Sequence, residues 1–170
     1  MMVDIFKEQL VRRNPTTKDR LIRIGVIAGV VLVLFISMSI IPAFGMVITV
    51  AVGFGAYIFL GRLKREYEYS FTNGELDIDV IYNRSTRKRV FTGNVRNFEL
   101  MAHVDDQSHQ NSFATASEVK DYSTGTVSDR SYAFLANYNS KRQKIIIEPN
   151  NELLEAIAKT LTRTKFYPKK

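Results

Sequence analysis

The chain has 170 residues and a formal net charge of +7, from 24 basic and 17 acidic side chains. This length leaves room for one domain of ordinary size beside any membrane segment. The chain contains no cysteine, which excludes a disulfide framework, a thiolate metal site and a cysteine nucleophile. Basic residues border an uncharged block on both sides, a distribution that indicates membrane flanks and predicts no nucleic-acid partner.

Residues 1–20 are expected to form an N-terminal cytosolic segment. Val3, Phe6 and Leu10 recur at a helical spacing, which predicts a short amphipathic helix at the membrane interface. Asn14 and Pro15 follow as a stop signal for this helix.

Residues 24–61 carry no charged side chain. As one helix they would be about 55 Å long, whereas the hydrocarbon core of a bilayer is about 30 Å thick. Pro42 lies near the midpoint, where its ring and missing N–H break a helix. We therefore predict a two-helix transmembrane hairpin over residues 21–61. The alternative is a signal peptide cleaved near Pro42, which the apolar run beyond that residue disfavours.

Basic residues on both sides of the hairpin set its expected orientation. The outer turn is uncharged, so the positive-inside rule predicts a multi-pass protein of the cell membrane with both termini in the cytoplasm. The expected topology determinants are Arg20, Arg23, Arg62, Lys64 and Arg65.

Small residues occur within both predicted spans. Gly25 and Gly29 form a GxxxG pair, and Gly55 is as far from Pro42 as Gly29 is. Small side chains allow close helix packing, which serves either the hairpin itself or self-association. Residues 24–61, which form the spans, contain no Asp, Glu, Lys, Arg or His, which argues against a transporter and indicates an anchor.

Residues 62–165 show the pattern of a β domain. Apolar and polar residues alternate from Glu66, and Asn73-Gly74 predicts a tight hairpin turn. We expect six or seven antiparallel strands, with residues 105–128 as a long loop that holds one short strand near 118–122. An amphipathic helix is predicted over about 151–164, capped by Asn150 or Asn151, before a basic tail at 166–170. The fold class is thus α+β: a membrane α-hairpin, then an antiparallel β-barrel or sandwich capped by a helix.

The stretches YEYSFTNGELDID, VRNFELM and IIIEPNNELLEAI, together with an Arg/Lys-rich turn, resemble the bacterial pleckstrin-homology-like (PH-like) domain of small membrane proteins. The resemblance covers about residues 62–165, and the two-helix hairpin extends it over most of the chain. VFTG departs from the family's pattern in the third strand. The resemblance implies a fold and a membrane location, and its motifs are structural rather than catalytic.

Four basic residues cluster in one predicted turn: Arg84, Arg87, Lys88 and Arg89. Each charge near an anionic membrane surface contributes about 1 kcal/mol, so these residues are candidates for contact with lipid headgroups. The alternative is a solvated hairpin tip.

No catalytic, cofactor or metal site is expected. His103 and His109 with the intervening Asp105 and Asp106 match no standard metal motif, and the alternating carboxylates Asp77 and Asp79 lack an evident catalytic partner. The sequence predicts a non-catalytic interaction or scaffolding module at the cytoplasmic face, with the bilayer and a protein partner, or a second copy, as its contacts. An anionic-lipid sensor built on Arg84–Arg89 is the alternative.

Overall fold

A computed structural model describes residues 5–169 of the chain. It contains two compact units. One comprises residues 5–14, 66–81 and 86–169 and is called the β domain below. The other comprises residues 15–65, called the helical hairpin, together with residues 82–85.

The β domain begins before the helical hairpin, with strand β1 (Phe6–Arg12). This strand pairs antiparallel with β2 (Arg65–Thr72), in a register that runs from Phe6 opposite Thr72 to Arg12 opposite Glu66. The interfacial helix expected from Phe6 and Leu10 is therefore wrong, and Val3 lies outside the described residues. Residues 5–14 belong to the β domain rather than to a separate N-terminal segment.

The helical hairpin consists of α1 (Thr17–Ile40) and α2 (Pro42–Gly61). Both helices are long and apolar enough to cross a membrane. Thr16 caps α1 in a reciprocal arrangement with Asp19, and Pro42 occupies the first position of α2, where its missing N–H costs no hydrogen bond. The break between the helices thus falls where the sequence predicts it.

The first sheet is completed by β3 (Glu75–Tyr82) and β4 (Thr86–Asn94), in the order β1-β2-β3-β4. Asn73 and Gly74 have φ of 50° and 99° in the turn from β2 to β3. This left-handed backbone is what an Asn-Gly hairpin requires, so the predicted turn is present.

The second sheet is built from β5 (Leu100–His103), β6 (Glu118–Asp121), β7 (Tyr132–Tyr138), β8 (Lys141–Ile147) and β9 (Phe166–Tyr167). Its order is β6-β8-β7-β5-β9. The β6–β8 and β5–β9 pairs are parallel, so the sheet is mixed where an antiparallel one was expected. The predicted loop at 105–128 also holds a short helix, α3 (Gln110–Ala114), besides the expected strand.

The last helix, α4 (Asn151–Thr160), is capped by Asn150, whose Oδ1 accepts from the Leu153 N–H at 2.8 Å. It is shorter than the predicted 151–164 because Leu161 has an extended backbone. The expected basic tail contains β9, and its Phe166 ring stacks on Tyr132. This ring contact with β7 and the parallel pairing with β5 hold the segment on the second sheet.

The core of the β domain lies between the two sheets and under α4. Phe98 stacks on Phe134 with ring centres 4.1 Å apart, and Phe91 meets Phe134 edge-on at 5.4 Å. Tyr69 is fully buried; its hydroxyl donates to the Tyr122 carbonyl at 2.5 Å and accepts from the Glu148 N–H at 3.2 Å. This hydroxyl joins β2 of the first sheet to the second sheet.

Candidate interaction surface

The four residues of the predicted basic cluster lie in different surroundings. Arg87 contacts the Glu68 carboxylate at 2.6 Å, and Arg89 contacts Asp77 at 2.8 Å and Asp79 at 2.5 Å. These carboxylates alternate along β2 and β3 with the apolar side chains that enter the core. Arg87 and Arg89 therefore have much of their charge neutralised within the first sheet.

The buried carboxylates explain why the arginines lie where they do. Glu68 and Asp79 are only 8% and 5% exposed, and an unpaired buried charge costs several kcal/mol or more. Burial, followed by a hydrogen bond with Glu8, raises the pKa of Glu68, while Arg87 opposes the change. The hydrogen bond that Arg89 donates to the Asp79 carboxylate raises the pKa of Arg89. Arg87 and Arg89 thus serve the stability of this face, which the sequence cluster alone did not reveal.

Lys88 lies in a different environment, a groove of about 330 Å³ between β4 and β6. We call this the edge groove. Its lining residues come from β4, from β6 and the residue that follows it, and from the β7–β8 turn and its flanks: Lys88, Arg89, Val90, Glu118, Lys120, Tyr122, Tyr138, Asn139, Lys141 and Gln143. Lys120 and Lys141 were not predicted, because no local pattern in the sequence links them to Lys88. The alternation of apolar and polar residues within each strand predicts the strand itself, but it does not show which strands are neighbours.

In the helical hairpin, close packing occurs at Gly45 rather than at the predicted glycines. A Cβ at Gly45 would lie 2.9 Å from the backbone of Ser37, whereas one at Gly25, Gly29 or Gly55 would meet nothing within 4 Å. The Ser37 hydroxyl donates to the Gly45 carbonyl at 3.1 Å. The prediction that Gly25, Gly29 and Gly55 pack the hairpin is therefore wrong for contacts within it, and their role in self-association stays a prediction.

A family model described as a bacterial PH-like domain (DUF6106) matches residues 3–167. The chain belongs to this family. The match includes β1 and the helical hairpin as well as the strands that follow, so the family's unit spans nearly the whole PH-like protein. No curated protein and no solved structure matches the chain.

The histidines of the PH-like domain line a second cavity, of about 570 Å³. His103 is buried; its Nε2 lies 3.1 Å from the Ser128 carbonyl and its Nδ1 accepts from the Asp105 N–H at 3.3 Å. Because a carbonyl only accepts, Nε2 carries the proton. His109 lies 2.8 Å from Asp106, and this hydrogen bond lowers the pKa of Asp106. Among residues 5–169, no three His, Cys, Asp or Glu side chains are grouped as a metal site would need.

The predicted topology determinants lie at the ends of the hairpin helices. Arg20 and Arg23 are in the first two turns of α1, and Arg62 caps α2. The Lys64 carbonyl accepts from the Asn83 N–H at 3.1 Å, and the Arg65 guanidinium lies 6.0 Å from the centre of the Tyr82 ring. These contacts explain why residues 82–85 group with the hairpin. Arg84 belongs to the same turn, with a φ of 57°.

Proposed function

We propose that the protein is a membrane-anchored, non-catalytic interaction module at the cytoplasmic face of the cell membrane. The observation that carries the proposal is that the helical hairpin occupies the position of the turn between β1 and β2. Only residues 13–16 separate β1 from α1, and only residues 62–64 separate α2 from β2. At about 3.3–3.6 Å per residue, both connections are short.

The pairing of β1 with β2 supports an even number of membrane crossings. Arg12 and Glu66 are partners in one antiparallel ladder, so they must lie on the same side of any membrane that the helices between them cross. The basic residues beside both helices favour the cytoplasmic side by the positive-inside rule.

The absence of native cysteine allows a direct test of the orientation. Ser39→Cys places a thiol near the turn of the helical hairpin, and Ser112→Cys places one on the exposed surface of α3. In intact bacterial cells, a membrane-impermeant maleimide should modify the first thiol and reach the second only after permeabilisation. Modification of Ser112→Cys in intact cells would contradict the orientation.

The interaction role is supported by membership in the PH-like family, whose domains are generally non-catalytic. Crosslinking of the full chain in its own membrane should recover a defined partner or a second copy. A hairpin variant without the β domain serves as the control for lateral collisions in the bilayer. Recovery of the same products from that variant, or a strictly monomeric protein without partners, would contradict the proposal.

The second candidate is contact of Arg84, Arg87, Lys88 and Arg89 with anionic headgroups. The ion pairs of Arg87 and Arg89 favour the protein-interaction role, because charges engaged within the sheet attract headgroups less. Binding of vesicles containing phosphatidylserine by the β domain, lost on neutralising these four residues, would favour lipid sensing instead.

A further inference from the structure

The edge groove lies between two strand edges that have no neighbour in either sheet. β4 ends the first sheet and β6 ends the second, and residues of both line the groove. Among residues 5–169, no backbone hydrogen bond joins these two strands. An edge strand presents a row of N–H and C=O groups that a further strand can pair with. The first four residues of β4, from Thr86 to Arg89, are exposed.

The excess of positive charge in the edge groove favours an occupant with negative charge. The groove is lined by a single carboxylate, that of Glu118, and by four basic side chains: Lys88, Arg89, Lys120 and Lys141. Glu118 lies 2.6 Å from Lys120 and 3.9 Å from Lys141, so one negative charge is shared between two lysines. Arg89 already forms ion pairs with Asp77 and Asp79 in the first sheet. The groove therefore keeps an excess of positive charge from its lysines.

The remaining lining residues suit a peptide rather than a lone ion. Tyr138 contributes an aromatic wall, and its ring lies 5.2 Å from that of Phe91, which is anchored in the core. Asn139 and Gln143 add amide groups. Binding by strand addition combines main-chain hydrogen bonds for affinity with side-chain contacts for specificity. An aromatic wall, amides, lysines and a free strand edge provide both kinds of contact.

We propose that the edge groove binds an acidic segment of a partner protein in extended conformation, which adds to β4 as a further strand. This inference rests on the proposed interaction function and names the partner's chemistry. Charge complementarity with the lysines indicates that the bound segment is acidic, and the unpaired edge of β4 indicates that it binds in extended conformation.

The test uses the full chain in a neutral detergent and a fluorescent nine-residue peptide that alternates Glu and Val. The double variant Lys88→Glu/Lys120→Glu should weaken binding at least tenfold. The matched control Lys7→Glu/Lys159→Glu changes the same net charge at β1 and α4 and should leave binding unchanged. A peptide of the same charge with Pro in place of Val should bind at least tenfold more weakly, because Pro lacks the N–H that strand pairing needs.

Each alternative result overturns the proposal. Equal binding of the Pro-containing peptide would show attraction by charge alone, and no binding at millimolar peptide would remove the site. Binding of phosphatidylserine vesicles, but not of the peptide, with the same sensitivity to Lys88 and Lys120 would assign the groove to lipid. If the peptide fails while crosslinking in the membrane still recovers a partner, the interaction function stands and only the assignment of the groove is wrong.

Discussion

Removal of β1 is the perturbation that most directly tests the architecture. Two soluble versions of the β domain can be compared. In the first, residues 15–64 are replaced by a linker of about five Gly and Ser residues, so that β1 remains joined to β2. The second consists of residues 66–170 and lacks β1. We expect the relinked version to fold and the shorter fragment to be strongly destabilised.

The expected loss follows from the contacts that β1 makes. Gln9 donates to the Glu148 carbonyl at 2.9 Å and accepts from the Asn150 N–H at 2.6 Å, and each such bond contributes about 1 kcal/mol. Burying Val11, which is 6% exposed, adds about 1.5–3 kcal/mol. With the ladder to β2, the loss is on the order of 5 kcal/mol or more. That is comparable with the whole stability of a typical domain, about 5–15 kcal/mol.

Urea unfolding followed by far-ultraviolet circular dichroism measures this difference, and tyrosine fluorescence serves as the second probe because the chain has no tryptophan. The relinked version should unfold cooperatively, with both probes coincident. Gln9→Ala in that version is an intermediate control, with an expected loss of about 2 kcal/mol. If residues 66–170 unfold with the same midpoint and slope as the relinked version, β1 is not an integral strand and the reasoning fails.

Two further predictions concern packing and protonation. Gly45→Ala should destabilise the hairpin by about 1–3 kcal/mol because the added Cβ meets the backbone of Ser37. Gly53→Ala places its Cβ in open space and should not destabilise the hairpin. Heat-induced loss of helical circular dichroism in detergent measures both variants, and equal effects would contradict close packing at Gly45. The raised pKa of Glu68, caused first by burial and then by Glu8, means that the folded state binds its proton more tightly than the unfolded state. Stability from this group is therefore present below its ordinary pKa of 4.5 and is lost as the pH rises through the raised value. Glu68→Gln should flatten the dependence of the unfolding free energy on pH, measured by urea titrations between pH 4 and 8. An unchanged dependence on pH would contradict the prediction.

Local sequence patterns predicted the structure correctly where one or two residues determine the backbone conformation. Pro42 ends α1 by steric exclusion, Asn73 and Gly74 supply the positive φ of their turn, and Asn150 caps α4 with its own side chain. Each of these effects acts within a few residues, so the sequence pattern contains the whole cause.

The errors arose where the cause lies far along the chain. β1 places Lys7 and Gln9 on the same side as buried Val11, so its inward face is mostly polar and gives no alternating apolar signal. Its partner strand follows only after the complete helical hairpin. The edge groove was missed for the same reason, since Lys88 and Lys120 become neighbours only when two different sheets are assembled.

The insertion of the helical hairpin between β1 and β2 has a consequence for biosynthesis. Residues 13–65 must be translated after β1 before the first residue of its partner ladder appears. At about 5–20 residues per second, the ribosome needs several seconds for this stretch. During that interval β1 has no partner, and its polar Lys7 and Gln9 keep it compatible with water. The β1–β2 ladder can therefore form only after both hydrophobic helices have been translated.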